Sequence, residues 1–291
     1  MKGMVSSLFS GAKKACVLLI IALAFFMVGC SGNGGGAQQG ETDASQKPSS
    51  NQDGAAVQGG YNEHDRSLLA AFLELTDSSG VKNGEKYNKK YSAGDPSTWQ
   101  EVEWTDTAEG KRVLRADFGG MTGKLDLSGC TSLTMLICIG EISELDLTGC
   151  TALTGVECSG NQMTSIRLDG CTALTALRCD HNALTELDVS ACTSLKLLRC
   201  ENNKLSALDI SACSALETAD CSANELASIK LNCPALTELR CNNNKLASLE
   251  LSSCTALNVL VCYDNALTSL DVSKCAASID VNCDSGVEIV K

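Results

Sequence analysis

The chain has 291 residues, a formal charge of −12 at pH 7 and only 4% aromatic residues. That length suits one substantial domain with appendages. The acidic balance excludes non-specific binding to nucleic acid, which needs a basic patch, and so few aromatics leave a stacking platform for bases or sugars poorly supplied.

Lys13-Lys14 precede an apolar run from Ala15 to Val28. The run is too short to span a bilayer and fits the core of a signal peptide. It ends Met27-Val28-Gly29-Cys30-Ser31, with a small residue before a cysteine. This resembles a bacterial lipobox. The resemblance implies a lipoprotein signal peptide over residues 1–29, cleavage before Cys30 and acylation of Cys30. The chain would then be extracytoplasmic and surface-exposed, held to the bacterial membrane by lipid at Cys30. Losing Lys2, Lys13 and Lys14 with no acid would take the charge from −12 to −15. After the acylated Cys30, the segment 30–60 is rich in Gly, Ser, Gln and Asn and should be a flexible linker, since it buries too little to offset ordering.

Residues 61–112 begin with helical spacing of Leu68, Leu69, Phe72, Leu73 and Leu75, and Asn62 or Asp65 as N-cap candidates. A polar loop with Trp99 and Trp104 follows, then Gly110-Lys111-Arg112-Val113. This resembles the N-terminal cap of extracellular leucine-rich-repeat proteins. A cap is physically required, because the first coil of a solenoid would otherwise expose its apolar end. The two tryptophans are expected in the cap core.

From residue 113 to 286 the chain repeats itself about every 21 residues, as in Leu174–Ser194 followed by Leu195, giving about nine coils. Each coil reads L-x-x-L-x-C-x-x-N-x-L-x-x-L-D-L-S-x-C-T-x. The pattern resembles the leucine-rich-repeat signature with Cys in its third apolar place. It is similar to the 21-residue cysteine-ladder repeats of internalin-J-like bacterial surface proteins. The expected fold is an α/β solenoid, mostly β, with a parallel sheet, short convex segments and a small helical N-terminal cap. The tail 287–291 is expected to close the far end with a last strand.

Read in columns, the cysteines occupy two fixed angular positions, one in the strand (Cys138 to Cys283) and one after the second half-coil (Cys130 to Cys275). Zinc is disfavoured, since no close C-x-C spacing exists and a straight column cannot surround one ion tetrahedrally. Disulfides between neighbouring coils fit poorly. Parallel strands hold Cβ atoms about 4.8 Å apart, against the ~3.8 Å a bridge prefers. Buried free thiols are expected. Asn161, Asn182, Asn203, Asn224, Asn244 and Asn265 form a further column, whose amides can both donate to and accept from turn backbone. An outward column of Asp126, Asp146, Asp188, Asp209 and Asp271 reads as solvated charge rather than a calcium site.

The strand face remains for function. Arg178, Asp180, Arg199, Glu201, Asp220, Arg240, Asn242 and Tyr263 are the candidate ligand-binding residues, flanked by apolar Met135, Ile137 and Ile139 at one end and Val259 and Val261 at the other. No catalytic, metal or cofactor motif is recognisable, and His181 sits at a variable turn position. The expectation is a monomeric, non-enzymatic protein that binds a protein or cell-surface ligand, as in adhesion. The alternative is a scaffold lipoprotein of the envelope without a host partner.

Overall fold

The computed structural model describes residues 60–291. The expected signal peptide, Cys30 and all but the last residue of the linker lie outside the described residues. No helix among the described residues is long and apolar enough to cross a membrane.

The cap opens with helix α1 (Glu63–Leu73), whose N-cap is Asn62; its side chain accepts from the Asp65 N–H. Asp65, the other cap candidate, has a different task. It is fully buried and takes two hydrogen bonds from Arg112, Nε to Oδ2 at 3.1 Å and Nη2 to Oδ1 at 2.8 Å, plus the Val113 N–H at 2.9 Å. Arg112 also donates to the Gly129 carbonyl at 2.8 Å. This pair therefore ties α1 to the first coil. Leu69, Phe72 and Leu73 bury the apolar face of α1, with Phe72 against Phe118. Trp99 is buried and Trp104 half-buried, with ring centres 6.0 Å apart, so both belong to the cap core.

Strand β1 (Val102–Thr107) pairs antiparallel with β2 (Gly110–Asp117), a hairpin that the repeat pattern does not announce. Its available signal is the alternation Val102-Glu103-Trp104-Thr105 before a tight polar turn. The expected boundary at 113 falls within β2, whose pairing with the next coil runs from Arg115 to Asp117.

From β2 onward one face of every coil joins a single sheet, with strands numbered along the chain. It contains β1, β2, β4 (Met135–Ile137), β6 (Gly155–Glu157), β8 (Ala176–Arg178), β9 (Leu197–Arg199), β11 (Thr218–Asp220), β13 (Glu238–Arg240), β14 (Val259–Val261) and β16 (Asp280–Asn282). After the hairpin, every pairing in it is parallel and in register. The other side of the coil carries a broken ladder: β3 (Thr122–Asp126), β5 (Glu141–Asp146) and β7 (Ser165–Arg167); then β10 (Ala207–Asp209) and β12 (Ser228–Lys230); then β15 (Ser269–Asp271) and β17 (Glu288–Val290). The coils containing Leu187 and Leu249 form no strand there. Continuous pairing on one side and interrupted pairing on the other mean that the coils fan apart on the second side. The ten-stranded sheet is therefore the concave face. Over the described residues the fold is a leucine-rich-repeat solenoid, mostly β, with one α-helix at its N-terminal end.

The tail adds β17 beside β15, as expected of a last strand, but it does not cover the end: Ile289 and Val290 remain 36% and 45% exposed.

All sixteen cysteines among the described residues are free thiols, and only Cys275 and Cys283, in the last coil, are not fully buried. The ladders are directional. Strand thiols donate forward, Cys158 to the Arg178 carbonyl at 3.2 Å and Cys221 to the Arg240 carbonyl at 3.3 Å. Thiols of the second column donate backward, Cys150 to the Leu127 carbonyl at 3.1 Å and Cys171 to the Leu147 carbonyl at 3.2 Å. A small apolar residue with a weak donor packs between coils and adds a second hydrogen bond to a carbonyl that already accepts a backbone N–H. In the first coil Phe118 stands in the strand position instead and is fully buried.

The asparagine column does what its amide allows. Asn203 donates to the carbonyls of Cys179 and Cys200 at 3.0 and 3.1 Å and accepts the Leu184 N–H at 3.0 Å. One side chain thus stitches two coils. The outward acid column is more than solvated charge. Asp126, Asp146, Asp188, Asp209 and Asp271 each accept the backbone N–H two residues on, closing the turn before the second cysteine. Arg167 and Lys230, which interrupt that column, lie 3.8 and 3.2 Å from Asp146 and Asp209 of the preceding coil.

Candidate functional site

Register fixes the concave face. In the central column Glu157, Arg178, Arg199, Asp220 and Arg240 stand on successive rungs. Two residues further along each coil, the parallel column reads Ser159, Asp180, Glu201, Ser222, Asn242, Tyr263. A basic pair, Arg178 and Arg199, therefore lies beside an acidic pair, Asp180 and Glu201. Like charges on adjacent rungs repel, and the opposite pair alongside offsets this. All eight candidate binding residues belong to this face. Arg199 and Arg240 are exposed and the other six half-buried.

Several contacts constrain these side chains. Arg178 Nε lies 3.8 Å from Glu157 Oε2. Arg240 turns along its own strand to Glu238, at 2.6 Å. Asp220 accepts the N–H and hydroxyl of Ser222 at 3.0 and 2.6 Å. Asp180 takes the Ser159 hydroxyl on Oδ1 at 2.7 Å and lies 3.0 Å from His181 Nδ1 through Oδ2. Glu201 Oε2 is shut off from solvent and has no hydrogen-bond partner. Burial, with Asp180 and Asp220 adding to it, pushes the Glu201 carboxyl above its ordinary range.

One expectation for this face needs correction. Ile137, read as an open-face residue, is only 6% exposed, and Glu157 on the next rung only 8%. In a parallel in-register sheet each side chain is flanked by its counterparts one rung above and below, so a central residue with large neighbours is covered from both sides. Glu157 lies between Ile137 and Arg178 and shares the one proton of the Ser159 hydroxyl, 2.5 Å away, with Asp180. His181 is exposed at the turn position where the sequence placed it; its ring meets Asp180 and its backbone N–H donates to the Glu201 carbonyl at 2.9 Å. It occupies a left-handed position (φ 54°) shared by Asn202, Ala223, Asn243 and Asp264.

The convex side has a groove of about 700 Å³ beside the strandless segment at Glu186–Asp188, lined by Arg167, Asp169, Glu186, Leu187, Asp188 and Asp209 among others. It marks where the coils part, and its lining repeats the structural turn residues of each coil.

No protein-family model matches the sequence, and no curated protein matches it either. Among solved structures the chain is similar to the functional domain of internalin J from Listeria monocytogenes, described as including a cysteine ladder, at 28% identity over 58% of this chain and 43% of that one, with a TM-score of 0.49. It is also similar to internalin C2 from Listeria monocytogenes, at 18% identity over 63% of this chain and 86% of that one, TM-score 0.48. A third is YopM, a leucine-rich effector protein from Yersinia pestis, at 25% identity over 59% of this chain and 54% of that one, TM-score 0.48. The chain thus spans less than two thirds of the internalin J and YopM structures. These likenesses stand beside the assignment that the coil geometry makes by itself: a leucine-rich-repeat solenoid with two cysteine ladders.

Proposed function

We propose that the concave face recognises a protein partner, and that the solenoid is displayed outside the cytoplasm on a lipid attached to Cys30. One observation carries the recognition reading. The columns that face the core or close the turns repeat from coil to coil as Leu, Cys, Asn and Asp, while the concave columns change at nearly every rung. Repeated columns build a rigid frame, and variable side chains on that frame make a specific pattern. The mixed charge and flanking apolar residues suit a folded protein on another surface, in the manner of an adhesin.

The full chain, immobilised in detergent, tests this against surface-protein extracts. Arg199→Glu combined with Arg240→Glu reverses two exposed charges, so a captured partner should bind about tenfold more weakly. The melting temperature should not change. Equal capture by the double variant and the native chain would reject the concave face as the contact. Anchoring is tested by growth on an alkyne-bearing fatty acid: the native chain should take up label and Cys30→Ser should not. Label retained by Cys30→Ser would sink the lipid reading. Protease treatment of intact cells should shave off the solenoid, and protection until the envelope is opened would contradict surface display.

A further inference from the structure

We propose that Asp180, His181 and Glu201 form a divalent-metal site on the concave face. Their donor atoms lie within 4.8 Å of one another, with His181 Nδ1 only 3.0 Å from Asp180 Oδ2. Bonds of about 2.1 Å put the ligands of one ion no more than roughly 4.2 Å apart, so a small swing of the Glu201 side chain completes the set. Two carboxylates and one imidazole suit borderline cations such as Mn²⁺ or Zn²⁺.

Three features single out this place. Between Ser159 and Tyr263, Asp180 and Glu201 are the only acids in their column, and they stand on adjacent rungs, where a cation relieves their repulsion. Glu201 Oε2 is closed to solvent and unpartnered, a carboxylate oxygen that lacks the donor or ion it needs. The site is also braced from outside. The Ser159 hydroxyl lies 2.7 Å from the second oxygen of Asp180, sharing its one proton with Glu157, and the His181 N–H locks onto the Glu201 carbonyl at 2.9 Å. Among the nearby cations, Arg178 is matched by Glu157 at 3.8 Å. The His181 side chain is 61% exposed, so the remaining coordination positions open toward solvent and toward anything docked on the face. The site stands whether or not that face binds a protein.

The probe is Mn²⁺ alone, titrated into the full chain in detergent and followed by the loss of the free-ion paramagnetic resonance signal. The native chain should take up one tight ion. His181→Asn puts at this turn the residue already found at Asn202 and Asn243, so it preserves the backbone, and it should weaken uptake at least tenfold. Glu201→Gln should do the same, while Asp188→Asn on the convex side should leave uptake unchanged. Absence of stoichiometric uptake by the native chain would overturn the proposal. So would uptake that His181→Asn and Glu201→Gln leave intact, or that Asp188→Asn weakens equally.

Discussion

Raising the pH from 7 to about 9.5 should destabilise this protein through its thiols. Burial pushes Cys171 and Cys213 up to about 11 and Cys150 and Cys192 up to about 12. An unfolded thiol ionises near ~8.5. The folded value is the higher one, so the stability is fully present below ~8.5 and is lost as pH rises toward the folded values. In that window the unfolded chain releases protons that the folded chain keeps, at about 1.4 kcal/mol per thiol per pH unit. Cys179, Cys200, Cys221 and Cys241 have no exposed surface, and burial pushes each of them well up. Those four alone would cost about 6 kcal/mol at pH 9.5, against a typical domain stability of about 5–15 kcal/mol. The assay is the urea midpoint by circular dichroism at both pH values, with a phosphine reductant present. A midpoint that does not move would refute the account of the ladders as neutral buried thiols.

Three further outcomes follow from the same contacts. Asn203→Ala removes two donated and one accepted hydrogen bond from a buried site, a loss of about 3 kcal/mol. It should lower the melting temperature by about 6–12 °C and speed hydrogen exchange at the Leu184 amide, and an unchanged Leu184 rate would contradict it. Asp65→Ala leaves the Arg112 guanidinium with only Glu109 at 3.2 Å and the Gly129 carbonyl, with side-chain exposures of 0% and 10% for the original pair, and should cost about 3 kcal/mol. Red-shifted fluorescence from Trp99 and Trp104 would report the loosened cap, and a native spectrum with unaltered stability would not fit. A thiol reagent added to the native protein without reductant should reach Cys275 and Cys283 first, and denaturation should release all sixteen thiols of residues 60–291. Finding nearly none after denaturation would mean the ladders are oxidised.

Much of the fold was legible because a period assigns every residue an angle. Cys179 and Cys192 had to lie at two fixed places in the coil, and Asn182 at the turn. The duties of Asp65 and the Asp188 column were not legible in the same way. Asp65 read as an N-cap candidate and the Asp188 column as solvated charge, yet one is paired inside the cap and the other closes a turn with the Ser190 N–H at 2.8 Å. Local spacing fits a turn acid as well as a solvated one, and only backbone geometry separates them. The β1–β2 hairpin was missed for a related reason: it occurs once, so no repetition amplifies its alternation.

For the candidate site, the sequence by itself determined the membership of the concave columns, since an in-register solenoid turns a 21-residue spacing into a neighbour relation. Tertiary structure alone decided that Glu157 and Ile137 are covered, that Arg240 turns to Glu238, and that His181 reaches Asp180 beside an unpartnered Glu201 oxygen. Periodicity fixes where a Cα lies. The direction and burial of a long side chain depend on the volume and charge of its neighbours on the adjacent rungs, and those change from coil to coil.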